Sequence, residues 1–238
     1  MEAVGQWVDI AGSLRSYYAW PESAGAHPAV LVFIDAFGVN GHFQELAGRL
    51  AREGFCALVP DIYHGRTYSY DDMQNAIGHL RTLRDETVMT EAGQALGWLD
   101  RRAEVGKGRV AALGFCMGGR LAFLANAAHA NHLKATVAFY GGGIAPEKDA
   151  AGRPPLLDKI PAMQAPLLLL YGAKDGSILP AEHGRIAQAL SAANKTYTLA
   201  VFPDAGHGFF CDQRKSYHAE AAARGWAMAL NHLHTYLS

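Results

Sequence analysis

"RVAALGFCMGGRLAFLANAAH", residues Arg109–His129, decides the fold. Arg109–Leu113 is a short buried-strand pattern, and Met117–His129 is an apolar helical stretch. Between them "GFCMGG", Gly114–Gly119, is uncharged, rich in glycine and centred on a thiol. A strand that passes into a helix through so tight a turn belongs to an α/β architecture. The residue at the apex is forced into a strained backbone and pushed toward the ligand edge of the sheet, and its neighbours must be small for strand and helix to meet.

The same alternation continues on both sides. Gln6–Ile10 and Leu14–Trp20 read as short antiparallel strands, and Pro28–Ile34, the "FCALVP" segment, Ala135–Tyr140, Pro166–Tyr171 and Tyr197–Phe202 as further strands. Helical spacing marks Phe43–Glu53, which stops at Gly54, then two patterns across Asp72–Arg102, then Ala181–Ala193 and Ser216–Leu237. Strand-helix alternation predicts a mostly parallel central sheet with helices on both faces, residues 1–238 forming one α/β domain. Ligands of such sheets bind beyond the carboxyl ends of the strands, so chemistry is sought there.

Composition narrows the function. At 50% hydrophobic and 18% charged, the 238 residues suffice for a large core. A net charge of -1, with no basic run longer than Arg101-Arg102, argues against nucleic acid or an anionic membrane and leaves a small molecule as the partner. No signal-like segment opens the sequence and no apolar run reaches membrane-spanning length, which predicts a cytoplasmic protein. Cys56, Cys116 and Cys211 are odd in number and lack CxxC or zinc-ligand spacing, so neither a disulfide framework nor a metal is expected. No strand or helix pattern advertises an oligomeric interface.

Cys116 stands at the amino end of a helix, where unpaired N–H groups and the helix dipole favour a thiolate. A thiol nucleophile needs a general base, and the base needs an acceptor to orient it. Of eleven histidines, His207 in "DAGHGFF" follows the last strand in a glycine-flanked loop. Asp175 in "YGAKDG" follows the strand Pro166–Tyr171. Nucleophile, acid and base thus occur in the chain order of the α/β-hydrolase triad.

Together "DAFGVN" (Asp35–Asn40), "PDIYHG" (Pro60–Gly65), "GFCMGG", "YGAKD" and "AGHGFF" resemble the dienelactone hydrolase family, in that family's order. The resemblance implies an α/β-hydrolase fold and Cys116, Asp175 and His207 as the triad. Asp35 stands where the family usually carries a glutamate that assists thiol deprotonation. The two arginines that grip the substrate carboxylate in well-known members are missing from their places. Cys211 stands at one of them, and only Arg66, Arg81 and Arg84 lie near the other. A carboxylate would then lose its bidentate partner, so the expected substrate is an ester or lactone other than dienelactone.

The expected chemistry is acyl transfer to water through a thioester, without a cofactor. Backbone N–H groups of Ala36 and Met117 would receive the oxyanion. Phe37, Tyr63, Tyr68, Tyr70, Tyr140 and Phe210 would wall the pocket. Two alternatives stay open, a thiol-dependent redox protein and a non-catalytic small-molecule binder on a hydrolase fold.

Overall fold

The computed structural model describes residues 2–10, 12, 14–146 and 152–238. Eight strands form one sheet: β1 (Ala3–Ile10), β2 (Leu14–Pro21), β3 (His27–Phe33), β4 (Cys56–Pro60), β5 (Val105–Phe115), β6 (Leu133–Phe139), β7 (Leu167–Gly172) and β8 (Tyr197–Phe202). Their spatial order is β1-β2-β4-β3-β5-β6-β7-β8. β2 pairs antiparallel with both β1 and β4, and every pairing from β4 through β8 is parallel. The mostly parallel α/β sheet expected from the sequence is therefore present.

The connecting helices are α1 (Gly41–Arg52), α2 (Met73–Leu80), α3 (Asp85–Leu99), α4 (Met117–Ala128), α5 (Pro180–Ala192) and α6 (Ala219–Leu237). In α1 the buried residues His42, Phe43, Leu46, Ala47, Leu50 and Ala51 fall on one stripe, so the helix lies against the sheet. Asn40 caps it, its side-chain oxygen accepting from the backbone N–H of His42 and Phe43. α1 and α6 meet on one face, where the Arg49 guanidinium sits 4.5 Å from the Trp226 ring. α3 and α4 meet on the other, through a paired Asp85 and Arg120.

Central strands carry no polar face because both sides are covered: β4 and β7 are buried at every position. β5 begins four residues earlier than its apolar run suggests. Lys107 and Gly108 are exposed strand residues there, and the register with β6 shifts between Val110 and Ala111. A 3-10 turn at Leu157–Ala162, which the sequence pattern does not mark, precedes β7.

One topological feature positions the site. From β3 the chain crosses outward to β4, then returns past β3 to β5 on its other side. The connections leaving the carboxyl ends of β3 and β5 therefore diverge and open a crevice between them. Asp35 and Ala36 follow β3, and Cys116 follows β5, so both segments lie at that crevice.

Candidate active site

Cys116 occupies the apex of the β5–α4 turn with φ 55° and ψ -118°, a left-handed conformation that a cysteine adopts at a cost of roughly 1–3 kcal/mol. The surrounding glycines make that geometry reachable. A Cβ on Gly114 would land on the Gly118 carbonyl, and one on Gly118 would strike the Phe33 and Ile34 carbonyls at the end of β3. Strand and helix approach backbone to backbone, which fixes the apex from below. The Cys116 N–H is held by the Phe139 carbonyl of β6 at 3.0 Å.

From that apex the Cys116 Sγ lies 3.1 Å from His207 Nε2. His207 Nδ1 lies 2.7 Å from Asp175 Oδ2, and the other carboxylate oxygen of Asp175 accepts from the backbone N–H of Ser177 and Ile178 at 2.8 and 3.1 Å. Three residues from separate loops thus form one continuous chain of contacts. With its carboxylate held from two directions, Asp175 fixes the ring so that Nε2 faces sulfur. The side chains of Phe209 and Tyr140 pack around this arrangement, the Tyr140 ring 5.2 Å from that of His207.

The electrostatics favour a charge-separated pair. Burial pulls His207 toward neutrality, but the Cys116 charge and the bonds to Asp175 and Cys116 outweigh it and raise its pKa to about 10. Burial likewise pushes the Cys116 thiol up, and the charge and hydrogen bond of His207 outweigh that and bring it below its usual value. Asp175 is subject to the same balance: burial raises its pKa, the His207 contact and the two backbone N–H groups lower it, and the carboxylate stays ionised. Both shifts run in the direction that favours thiolate beside imidazolium over thiol beside neutral imidazole.

Asp35 is buried beside this pair. Its carboxylate oxygen accepts from the Phe37 N–H at 2.9 Å. Burial raises its pKa to about 6, against the lowering effects of the Phe37 N–H, Arg214 and His207. Its negative charge opposes the Cys116 thiolate.

A cavity of about 430 Å³ opens over Cys116 and His207, within the range of small-molecule sites. Ala36 and Met117 line it on either side of the sulfur. Met117 is the first residue of α4, so its N–H has no acceptor within the helix. The remaining wall differs from the one expected. Phe37 lines the cavity; Tyr63, Tyr68, Tyr70, Tyr140 and Phe210 do not. Tyr63 is buried in a stack on His79, whose Nδ1 lies 2.9 Å from the Tyr68 hydroxyl. The Tyr70 hydroxyl accepts from Asn40 and from the Cys211 thiol. Phe210 fills the space between Phe115, Phe139 and Trp226. These aromatics build the layer behind the cavity, because a loop wrapped over a sheet edge must bury its own apolar surface as well as present some to a ligand.

The apolar surface comes instead from Met73, Ile77 and Leu80 on α2 and from Ile178. Arginines are also present, one of them, Arg81, from among the three that lie near a family place and two from segments the family pattern does not mark. Arg81, Arg153 and Arg214 line the cavity, whereas Arg66 and Arg84 border neighbouring depressions. Arg214 reaches in by lying across Gly208 and over the rings of Phe37 and Tyr70, 5.3 and 6.0 Å from their centres. The sequence signal for it is weak: a single arginine seven residues beyond His207, in a segment of turns.

The far wall is fastened by a buried arginine. Arg120 of α4 has no exposed surface; its guanidinium forks onto both oxygens of Asp85 at 2.6 and 2.8 Å. It also donates to the carbonyls of Gly143 and Pro154, at 3.1 Å each. Glu182 accepts from the Ile144 and Ala145 N–H groups at 3.1 and 3.0 Å. The segment carrying Gly142 and Gly143 is thus held against the cavity from two sides.

Comparison with known proteins finds similarity over nearly the whole chain. The model of the dienelactone hydrolase family matches residues 14–237. A Yersinia pestis protein that carries the name carboxymethylenebutenolidase is 39% identical over 228 residues, covering 92% of this chain and 82% of its own. A Synechocystis protein of the same name is 35% identical over 229 residues, covering 93% and 89%. Among solved structures, one from Klebsiella pneumoniae named as a dienelactone hydrolase superposes with a TM-score of 0.91 at 34% identity, covering 99% of this chain and all of that one.

Proposed function

The chain belongs to the dienelactone hydrolase family, hydrolases of ester or lactone bonds, and we propose that it cleaves a small carboxylate-bearing lactone with Cys116 as nucleophile, His207 as acid and base, and Asp175 as its orienting partner. The observation that carries this reading is the unbroken contact from Cys116 Sγ through the His207 ring to Asp175, at 3.1 and 2.7 Å.

The thiolate attacks the carbonyl carbon, and the developing oxyanion is received by the N–H groups of Ala36 and Met117. The ring C–O bond breaks as His207 gives its Nε2 proton to the departing oxygen, leaving a thioester on Cys116. Water then adds to the thioester carbonyl while His207 takes its proton. Collapse of that intermediate expels the thiolate and releases the acid, restoring the starting pair. Asp35 sets the electrostatic level of the site in this scheme, since its oxygen is engaged by Phe37.

Carboxylate recognition falls to Arg214, with Arg81 and Arg153 on the same cavity. The absence of arginine from two sequence places points to an ester or lactone other than dienelactone. Three guanidinium groups on the cavity favour an anionic substrate, and the relatives' name describes a carboxylated lactone. The apolar face of α2 would take the substrate body.

A redox role that pairs Cys116 with Cys56 is disfavoured by the placement of the two thiols. Cys56 opens β4, at the sheet end opposite Cys116, and its thiol is pushed up to about 11, chiefly by burial. All three cysteines are free. No helix among the described residues is long and apolar enough to cross a membrane.

A paired panel tests the reading. Carboxylated and uncharged lactones of equal ring size are to be assayed with wild type, Cys116→Ala and Arg214→Ala. We expect Cys116→Ala to lose at least about a thousandfold in kcat on both. Arg214→Ala should raise KM about 10- to 100-fold on the carboxylated lactone alone. Turnover by Cys116→Ala at the wild-type rate would refute the nucleophile, and equal effects of Arg214→Ala on both lactones would refute the anion subsite.

A further inference from the structure

A second cluster of reactive side chains lies behind the cavity, where α1 begins. His42 is the second residue of that helix; Cys211 and the adjacent Asp212 lie in the turns that follow His207. His42 and Cys211 are buried and the Asp212 side chain is exposed, yet Nδ1, Sγ and a carboxylate oxygen all lie within 4.8 Å of one another. The His42 Nδ1 to Asp212 Oδ1 distance is 3.8 Å. It is the one group of three His, Cys, Asp or Glu side chains so arranged among the described residues.

We propose that His42, Cys211 and Asp212 form a three-ligand site for a thiophilic divalent cation of the zinc and cadmium class. The donor set is the reason for that class: one imidazole nitrogen, one sulfur and one carboxylate oxygen suit a borderline-soft ion with a tetrahedral preference. Zinc bonds of about 2.0 Å to nitrogen and oxygen and about 2.3 Å to sulfur require ligand atoms roughly 3.3–3.6 Å apart. Closing from the observed spacing asks for about an ångström of movement, and Asp212, with 70% of its side chain exposed, is the ligand free to make it.

The surroundings suit the role. The Cys211 sulfur lies 3.3 Å from the Tyr70 hydroxyl, which in turn accepts from Asn40 at 3.0 Å. That pair of outer contacts fixes the sulfur's direction, as the outer shell of a metal site does. One thiolate and one carboxylate would neutralise a divalent ion, with the Cys211 proton released to solvent on binding. The fourth position would face solvent beside Asp212 and be taken by water. Occupancy would tie the start of α1 to the segment that carries His207 and Arg214.

Cadmium alone is the probe, because its bond to thiolate gives an ultraviolet charge-transfer band. The full-length Cys116→Ser protein is used, which removes the thiol paired with His207. We expect one equivalent of Cd²⁺ to produce the band in that protein, and the band to vanish when Cys211→Ser is added. Asp212→Asn, an exposed change that leaves the fold alone, should weaken binding at least about tenfold. A band that survives Cys211→Ser, unchanged affinity in Asp212→Asn, or no band in the Cys116→Ser protein would each overturn the site.

Discussion

The turn that carries Cys116 and the wall that faces it across the cavity are built by opposite means. Backbone contacts around a short motif fix the turn: the Cβ positions of Gly114 and Gly118 are filled by main-chain atoms, of the turn itself and of the end of β3, and the apex takes its left-handed conformation there. The wall is gathered from α2, the segment around Gly143 and the turns after His207, and side chains hold it, with Arg120 and Glu182 as the fastenings. The first kind of construction leaves a short motif in the sequence, whereas the second leaves residues scattered over more than a hundred positions.

The sharpest way to break this contrast is to place one methyl group in the turn. Gly118→Ala sets a Cβ on the Phe33 and Ile34 carbonyls, a clash with backbone that rotamer changes cannot relieve. We expect soluble folded protein to be lost, or its thermal midpoint to fall beyond about 10 °C, as calorimetry would show. A protein folded and active like wild type would mean that the turn has slack.

Next in size is the wall. Arg120→Met removes the fork onto Asp85 and leaves two loop carbonyls and a carboxylate without their donor. Breaking a buried pair from one side costs about 3–5 kcal/mol. Urea unfolding should register that loss, and KM should rise while the Cys116 thiolate persists. If Arg120→Met lowered thiolate content as much as it lowered stability, turn and wall would not be separable parts.

Smaller still, and opposite in sign, is the effect of Asp35→Asn. Its folded pKa of about 6 stands above the ordinary 3.8, so folding favours the protonated carboxyl. That contribution is complete below about pH 4 and is lost as pH rises through about 6. The neutral amide avoids the loss, so the variant should gain about 2–3 kcal/mol over wild type near pH 8 and nothing near pH 4. Its acid limb of activity should also move to lower pH, because the Asp35 charge opposes the thiolate. Stability curves that run parallel across this range would contradict the assignment.

How much the sequence disclosed follows the same division. Cys116, Asp175 and His207 were legible because each follows a strand with glycine close by, and parallel strands bring their carboxyl ends to one edge. β8 and the ends of most helices were legible from apolar spacing. Arg214 was not, because its entry to the cavity depends on a return of the chain across Gly208. Nor were Tyr63 and Phe210 separable from true cavity residues, since a loop aromatic has the same letter whether it faces the ligand or the layer beneath. Arg120 lies inside an apolar helix, where its charge reads as an interruption until Asp85 is seen to answer it.

The most direct test is to locate the acyl group during turnover. A slowly released activated ester is mixed with the wild-type protein, quenched in acid within the first turnover, and the peptides are mapped by mass spectrometry. We expect the acyl mass on the peptide containing Cys116, as a thioester that hydroxylamine removes, and none on those containing Cys56 or Cys211. An acyl group on any other residue, with Cys116 unmodified while product forms, would contradict nucleophilic attack by this sulfur.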